Sequence, residues 1–175
     1  EVQTGCGRTG EWFAYQHFNV VPDVMTLAKS LCGGLAGGAL LTTAEIAPSL
    51  RPGMHASTFG GNPIAARAGI AALEMIEREQ LLSRAKQLSD RFRSRFAELA
   101  SQCSIVQDVR VLGLMIGIEL AADGADVVNK CIDRKLLINC TQGNVIRLLP
   151  AMNLTDEQAD EGCAILVDVI QQMVE

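Results

Sequence analysis

Aromatic residues, basic clusters and long apolar runs are all scarce in this 175-residue sequence. Aromatic residues make up 4% of it, and the longest apolar stretches, such as residues 33–41, are glycine-rich and shorter than the roughly 20 residues that span a bilayer. Lysines and arginines are scattered and the net charge is -5, which argues against nucleic acid as a partner. No charged-then-apolar leader opens the chain. We therefore expect a cytoplasmic protein with no membrane or nucleic-acid partner.

The sequence also lacks the cysteine and histidine spacings of metal sites. Its six cysteines are widely separated, they form no CxxC pair, and only two histidines accompany them. No metal centre is therefore predicted. Free thiols in a reducing compartment, acting mostly as small buried hydrophobic residues, are the simplest interpretation.

Glycine is plentiful, and its first cluster is GCGRTG at residues 5–10. The spacing Gly5-x-Gly7-x-x-Gly10 is that of a dinucleotide-binding fingerprint, which requires a preceding strand and an acidic residue about 20 positions further on. Glu1 to Thr4 are too few for a buried strand, and Asp23 follows a proline rather than ending a strand. A glycine-rich surface turn is therefore favoured, and an NAD-dependent oxidoreductase is the weaker alternative.

The first half of the chain contains signals for two strands and a helix. The apolar runs at residues 24–31 and 39–43 flank a glycine-rich turn, which predicts two paired strands. Further on, Asn62 is a good helix N-cap and Pro63 suits the first helical position. A helix is therefore predicted from residue 63 onward.

The second half changes character after a long amphipathic helix. Apolar side chains at helical spacing predict this helix over Leu81, Leu88, Phe92, Phe96 and Leu99. Beyond it we expect strands in IVQDVRVLG, LMIGIELA and NVIRLLP and a helix in DVVNKCIDRKL. A Thr155–Gln158 capping box predicts a closing helix. The pattern indicates an α/β chain of two domains, residues 1–85 and residues 86–175, the second being α+β with its own core.

Lys29 is the first candidate for chemistry. A single ammonium in an apolar run is costly unless it is paired, reaches solvent or is used chemically. A desolvated lysine has a lowered pKa and can form a Schiff base with an aldehyde cofactor. Considered by position alone, a side chain that reaches out to solvent is the favoured alternative.

Two further segments carry groups that suit anions. HASTFGGNP, residues 55–63, joins the hydroxyls of Ser57 and Thr58 to a Gly-Gly pair and a capped helix start, which suits a phosphate; a turn whose hydroxyls cap backbone groups is the alternative. Arg147, alone in the apolar NVIRLLP, suits either a carboxylate in two-point contact or a structural ion pair. Together, a lysine that can bind an aldehyde, a loop that can bind a phosphate and an arginine that can bind a carboxylate indicate a pyridoxal-phosphate enzyme acting on amino acids.

Four segments in this order, EVQTGCGRTG, PDVMTLAKSLCGG, HASTFGGNP and RLLP, resemble the fold-type I, class III aminotransferases, and within them the acetylornithine enzymes. The resemblance runs over essentially all 175 residues. It implies that residues 1–85 are the C-terminal part of a cofactor-binding large domain and residues 86–175 a small C-terminal domain. It also implies that GCGRTG is a loop near the active site and dimer interface that binds no nucleotide.

The resemblance implies a role for each candidate residue. Lys29 matches the lysine that binds pyridoxal 5'-phosphate covalently, and Gln3 the residue that hydrogen-bonds the ring oxygen of the cofactor. Thr58 matches the threonine that reaches the cofactor phosphate of the other subunit in a homodimer. Arg147 matches the arginine that binds the carboxylate of the amino donor and of 2-oxoglutarate.

The implied activity is transfer of the δ-amino group of N-acetyl-L-ornithine to 2-oxoglutarate. The products would be N-acetyl-L-glutamate 5-semialdehyde and L-glutamate, a step of arginine biosynthesis. Succinylornithine, ornithine and 4-aminobutyrate aminotransferases share the same plan and are the alternatives.

The sequence departs from the family pattern at its start. The family's aspartate that pairs with the pyridine nitrogen would lie immediately before Glu1, and the family's N-terminal half would precede it. We therefore expect a C-terminal fragment of a chain more than twice as long. An alternative of another class is a catalytically inactive fragment that self-associates through apolar surface on residues 1–79.

Overall fold

Residues 1–173 are described by the computed structural model, and the chain divides into two units, Glu1–Leu82 and Ser83–Glu175. The strands and α-helices are β1 (Val24–Leu27), β2 (Ala39–Thr42), α1 (Pro63–Arg78), α2 (Leu81–Gln102), β3 (Val106–Leu112), β4 (Met115–Leu120), α3 (Ala125–Asp133), β5 (Asn139–Thr141), β6 (Val145–Leu148) and α4 (Asp156–Gln171). Short 3-10 helices occupy Ala14–His17, Lys29–Cys32 and Ala47–Ser49. The mixed α/β class predicted from the sequence is confirmed.

The first unit contains a two-stranded sheet and helix α1. Strands β1 and β2 pair antiparallel, which confirms the pair of strands predicted on either side of the glycine-rich segment. Helix α1 begins as predicted, because Oδ1 of Asn62 accepts a hydrogen bond from the Ile64 N–H at 2.8 Å and Pro63 occupies the first turn. Both features follow from local sequence alone.

Many apolar side chains of the first unit face solvent. Val21, Phe59 and Ile64 are 87%, 80% and 68% exposed, and both strands of the small sheet carry exposed leucine or valine side chains. Large apolar side chains that are this exposed are often covered by further protein. The apolar surface expected on this part of the chain is present.

The second unit is a four-stranded antiparallel sheet with helices over one face. Its strand order is β3-β4-β6-β5, and α2, α3 and α4 all contribute side chains to the buried cluster on that face. Within β4, Ile116, Ile118 and Leu120 are at most 1% exposed, so the alternate residues point to the open face. Strand β5 was not predicted from the sequence, because three residues are too few to show an alternating pattern.

The start of helix α4 is held by a capping box and by arginines of α2. The Thr155 N–H donates to Oε1 of Gln158 at 3.0 Å, and the Gln158 N–H donates to Oγ1 of Thr155 at 3.2 Å, as predicted. Arg84 and Arg91 pair with Asp156 in the first turn. The hydrogen bond from Arg84 lowers the pKa of the Asp156 carboxyl, which keeps it ionised at the positive end of the helix dipole.

Replacing Thr155 with alanine should lower the free energy of unfolding by about 1 kcal/mol, because the Gln158 N–H loses its acceptor. Thr155→Ser keeps the hydroxyl oxygen and should unfold within about 0.5 kcal/mol of the parent. Urea unfolding followed by circular dichroism measures both. Equal stability of the alanine and serine variants would show that the cap does not contribute.

The cysteines lie mainly in the interior. Five of the six are buried, and burial raises the pKa of the Cys163 thiol to about 11, so this thiol stays protonated. These positions agree with the interpretation of cysteine as a small hydrophobic residue. Among residues 1–173, no group of His, Cys, Asp or Glu is arranged to hold a metal ion, and no helix has the length and apolar character to cross a membrane.

Candidate functional site

The glycine-rich loop at residues 5–10 is buried, so its expected position as a surface turn is wrong. Cys6 and Thr9 are 3% and 2% exposed. The loop folds on itself because Cys6, Gly7 and Gly10 all have positive φ, and a β-carbon on Gly5 would lie 2.8 Å from the Glu1 carbonyl oxygen. In the described residues no strand precedes the loop and no α-helix starts at its end. Its geometry is therefore not that of a dinucleotide-binding turn.

Gln3 lies two residues before this loop, which packs beside the end of strand β1. A β-carbon on Gly5 would be 3.2 Å from Cδ2 of Leu27, the last residue of β1 and two positions before Lys29. The Gln3 side chain is half-buried, and among residues 1–173 its amide has no hydrogen-bond partner. The Gly5 contact thus places the loop beside the end of β1, the strand that precedes Lys29.

Lys29 occupies a turn directly after β1 and begins a 3-10 helix. Its backbone has φ +48°, a left-handed conformation that is uncommon for residues other than glycine and asparagine. The side chain is exposed, and no carboxylate of the described chain forms an ion pair with it. Strained backbone of this kind concentrates at functional sites, so the observation favours a use for the amine beyond reaching solvent.

Thr58 lies in an exposed turn that leads into helix α1. The turn is closed by the Gly60 N–H, which donates to the Ser57 carbonyl oxygen at 3.2 Å. Ser57 and Gly60 line a cleft of about 630 Å³ together with Gly37 and Gly38 of the glycine-rich run. Neither Thr58 nor Lys29 lines this cleft.

Arg147 lies on the open face of the sheet in the second unit. Its Nε donates to Oδ1 of Asn139 at 3.2 Å, and among residues 1–173 no carboxylate pairs with it. Arg110 on the same sheet differs, because its Nη1 donates to Oε2 of Glu119 at 2.8 Å and also to Asp108. The terminal nitrogens of Arg147 therefore have no carboxylate partner among the described residues, so the structural ion pair is not found there.

The donor groups of these residues fit pyridoxal phosphate and a carboxylate substrate. An amine without an ion-pair partner suits an aldehyde, an amide and a hydroxyl suit the ring oxygen and the phosphate, and a planar guanidinium suits a carboxylate. Gln3, Lys29 and Thr58 belong to the first unit and Arg147 to the second. The surroundings of each of these residues are therefore described within its own unit.

Two residues beside Arg147 were missed by the sequence analysis. Gly117 pairs with Arg110 on one side and with Arg147 on the other, so the three share the open face. The sequence did contain one signal for this site. In the alternating strand MIGIEL, a glycine occupies a position whose side chain would face outward, which is unusual in a strand interior. The cross-strand register, which the sequence does not display, was needed to use it.

Comparison with known proteins identifies the family to which the chain is similar. A family profile described as "Aminotransferase class-III" matches residues 1–170. The acetylornithine aminotransferase of Aquifex aeolicus is 44% identical over 170 residues, which are 97% of this chain and 43% of that protein.

Two solved structures share the fold. The acetylornithine aminotransferase from Elizabethkingia anophelis superimposes with a TM-score of 0.91 at 35% identity, over 98% of this chain and 44% of that one. An ornithine aminotransferase from Toxoplasma gondii, described with pyridoxal phosphate at partial occupancy in its active site, gives 0.92 at 34% identity, over 97% and 41%. The chain thus spans less than half the length of these relatives, and it belongs to the class III aminotransferase family.

Proposed function

We propose that the protein is a pyridoxal-phosphate-dependent aminotransferase that converts N-acetyl-L-ornithine and 2-oxoglutarate to N-acetyl-L-glutamate 5-semialdehyde and L-glutamate. The observation that carries the proposal is Lys29, an amine without an ion-pair partner, held in a left-handed backbone directly after a strand. The Aquifex and Elizabethkingia relatives, both named acetylornithine aminotransferases, support N-acetylornithine as the amino donor.

Lys29 is assigned two tasks. Its Nζ would hold the cofactor through the aldehyde, and the same amine would move a proton at the substrate δ-carbon. Pyridoxal phosphate supplies the aldehyde and the electron-withdrawing ring that this chemistry requires. The left-handed turn fixes the backbone position from which the Lys29 side chain starts.

Arg147, Gln3 and Thr58 are assigned to binding. The terminal nitrogens of Arg147 bind the α-carboxylate of the amino donor and a carboxylate of 2-oxoglutarate in two-point contact, which orients both substrates. The Gln3 amide donates to the ring oxygen, and the Thr58 hydroxyl donates to the cofactor phosphate of the other subunit in a homodimer. The exposed position of Thr58 suits a contact made across an interface.

The two units take different parts in this proposal. Residues 1–85 would form the C-terminal part of the large cofactor-binding domain, and residues 86–175 the small domain that presents Arg147. The exposed apolar side chains of the first unit support its burial against further protein. A cytoplasmic place in arginine biosynthesis follows from the proposed substrates.

Two alternatives each have an observation in their favour. The Toxoplasma relative is named an ornithine aminotransferase and is nearly as similar to this chain as the Elizabethkingia enzyme, which supports ornithine as the donor. The exposed apolar surface of the first unit supports an inactive, self-associating state for the 175-residue chain taken alone.

Reductive labelling tests the cofactor assignment. We expect borohydride reduction of the protein with pyridoxal phosphate to label Lys29 alone, because it is the lysine assigned to the aldehyde. Lys86, Lys130 and Lys135 are the other lysines of the sequence and serve as internal controls in peptide mass spectrometry. Equal labelling of all four would contradict an organised cofactor site.

The amino donor is tested by comparing kcat/KM for N-acetylornithine, succinylornithine, ornithine and 4-aminobutyrate in the full-length protein that contains this chain. The highest value is expected for N-acetylornithine. If kcat/KM were higher for another amine, that amine would be the donor, and the assignment as an aminotransferase would stand.

A further inference from the structure

Three neighbouring strands place Arg110, Gly117 and Arg147 in one cross-strand row. Arg110 of β3 pairs with Gly117 of β4, and Gly117 pairs in turn with Arg147 of β6. Directly paired residues direct their side chains to the same face of a sheet. The neighbours of Gly117 along the strand, Ile116 and Ile118, are buried on the opposite face. Two arginines on the open face therefore flank a position that has no side chain.

The described fold does not itself require a glycine at position 117. Its φ lies outside the left-handed region, and the strand register is regular on both sides of it. A β-carbon there would meet Cγ1 of Val145 at 3.5 Å and Nε of Arg110 at 3.9 Å, which are ordinary contacts. Glycine destabilises a strand interior and commonly marks a point where a ligand or another backbone approaches closely.

The open face has space at this point. A depression of about 380 Å³ is lined by Gly117, both arginines and the side chains of Met115 and Val145. Arg110 is already neutralised by Asp108 and Glu119, whereas no carboxylate of the described residues pairs with Arg147. A carboxylate entering the depression would therefore bind Arg147, with the Arg110 side chain as the opposite wall.

We infer that Gly117 is a specificity-determining residue, whose missing side chain leaves room beside Arg147 for the carboxylate-bearing end of the substrate. The inference rests on the proposed function, because it takes the ligand of Arg147 to be a dicarboxylic oxo acid or its amino-acid counterpart. A β-branched side chain at position 117 fills this space without removing either arginine.

The test measures carboxylate affinity apart from turnover. Glutarate, a dicarboxylate that cannot be transaminated, is titrated by calorimetry into the cofactor-loaded full-length protein and its Gly117→Ala and Gly117→Val variants. We expect Gly117→Val to raise the Kd by about tenfold or more through loss of charged hydrogen bonds, and Gly117→Ala to raise it less. Gln107→Val is the control, because it places a valine at an exposed position of the neighbouring strand, at the β-bulge and outside the depression.

The Tm of each variant shows whether a substitution at Gly117 affects ligand binding directly or destabilises the packing of the fold. An unchanged Kd for Gly117→Val would overturn the inference. If the Tm of that variant also fell, the glycine would instead serve close packing of the backbone. Should the valine variant fail to fold, the alanine variant decides, since its β-carbon fits. If Arg147→Ala weakens glutarate binding while both Gly117 variants bind normally, the inference is wrong and the proposed function stands. If the parent protein neither bound glutarate nor catalysed transamination, both the inference about Gly117 and the proposed function would be wrong.

Discussion

Replacing Lys29 with alanine is expected to reduce kcat by about 10⁴-fold or more in the full-length enzyme, because the variant loses both the covalent anchor and the proton-transferring base. Folding should be little affected, since the side chain is exposed and makes no ion pair within the described residues. Turnover is measured with N-acetylornithine and 2-oxoglutarate at saturating cofactor, and circular dichroism checks the fold.

Lys135 provides a matched control for this experiment. It too is an exposed lysine with positive φ, +65°, but it lies just after helix α3 and has no role in the proposed reaction. Lys135→Ala should therefore turn over at the parental rate. Near-normal turnover by Lys29→Ala would refute its assignment as the base, and equal losses in the two variants would point to a backbone effect.

Replacing Arg147 with alanine is expected to raise KM for both substrates by about 10- to 100-fold, the effect of losing charged hydrogen bonds worth about 1.5–3 kcal/mol. Arg147→Lys should recover only part of the affinity, because an ammonium cannot form the planar two-point contact. Initial rates with each substrate varied in turn measure both effects.

The control for Arg147 is Arg134→Ala, which removes an exposed arginine that is paired with Asp168 and lies outside the proposed site. KM should stay at the parental value in this variant. If Arg147→Ala left KM unchanged for both substrates, Arg147 would not contact either carboxylate, and the depression beside Gly117 would lose its assigned ligand as well.

Local signals in the sequence predicted the local structure well. Asn62 and Thr155 cap their helices as expected, because an N-cap depends on a side chain and a backbone N–H only two or three residues apart. Strand β5 was missed because its residues, Asn139–Thr141, owe their conformation to pairing with β6. The loop at residues 5–10 was expected at the surface and is buried. This prediction failed because the burial depends on tertiary packing, which the spacing of glycines does not encode.

The candidate site could be predicted only in part. Lys29 and Arg147 were proposed from the sequence because each is a single cation in an apolar run. The left-handed backbone of Lys29 and the absence of a carboxylate beside Arg147 depend on folding, and so does the row that joins Arg110 to Gly117. Properties of single residues could be predicted from the sequence, whereas relations between strands required the structure.

The φ of +48° at Lys29 has a consequence for how this position evolves. A left-handed backbone costs a lysine about 1–2 kcal/mol, whereas glycine, and in part asparagine, adopts it readily. Selection for stability alone would therefore replace the lysine over time. Under the proposed function the amine is what this position needs, so a glycine or asparagine at position 29 should stabilise the fold while removing transamination.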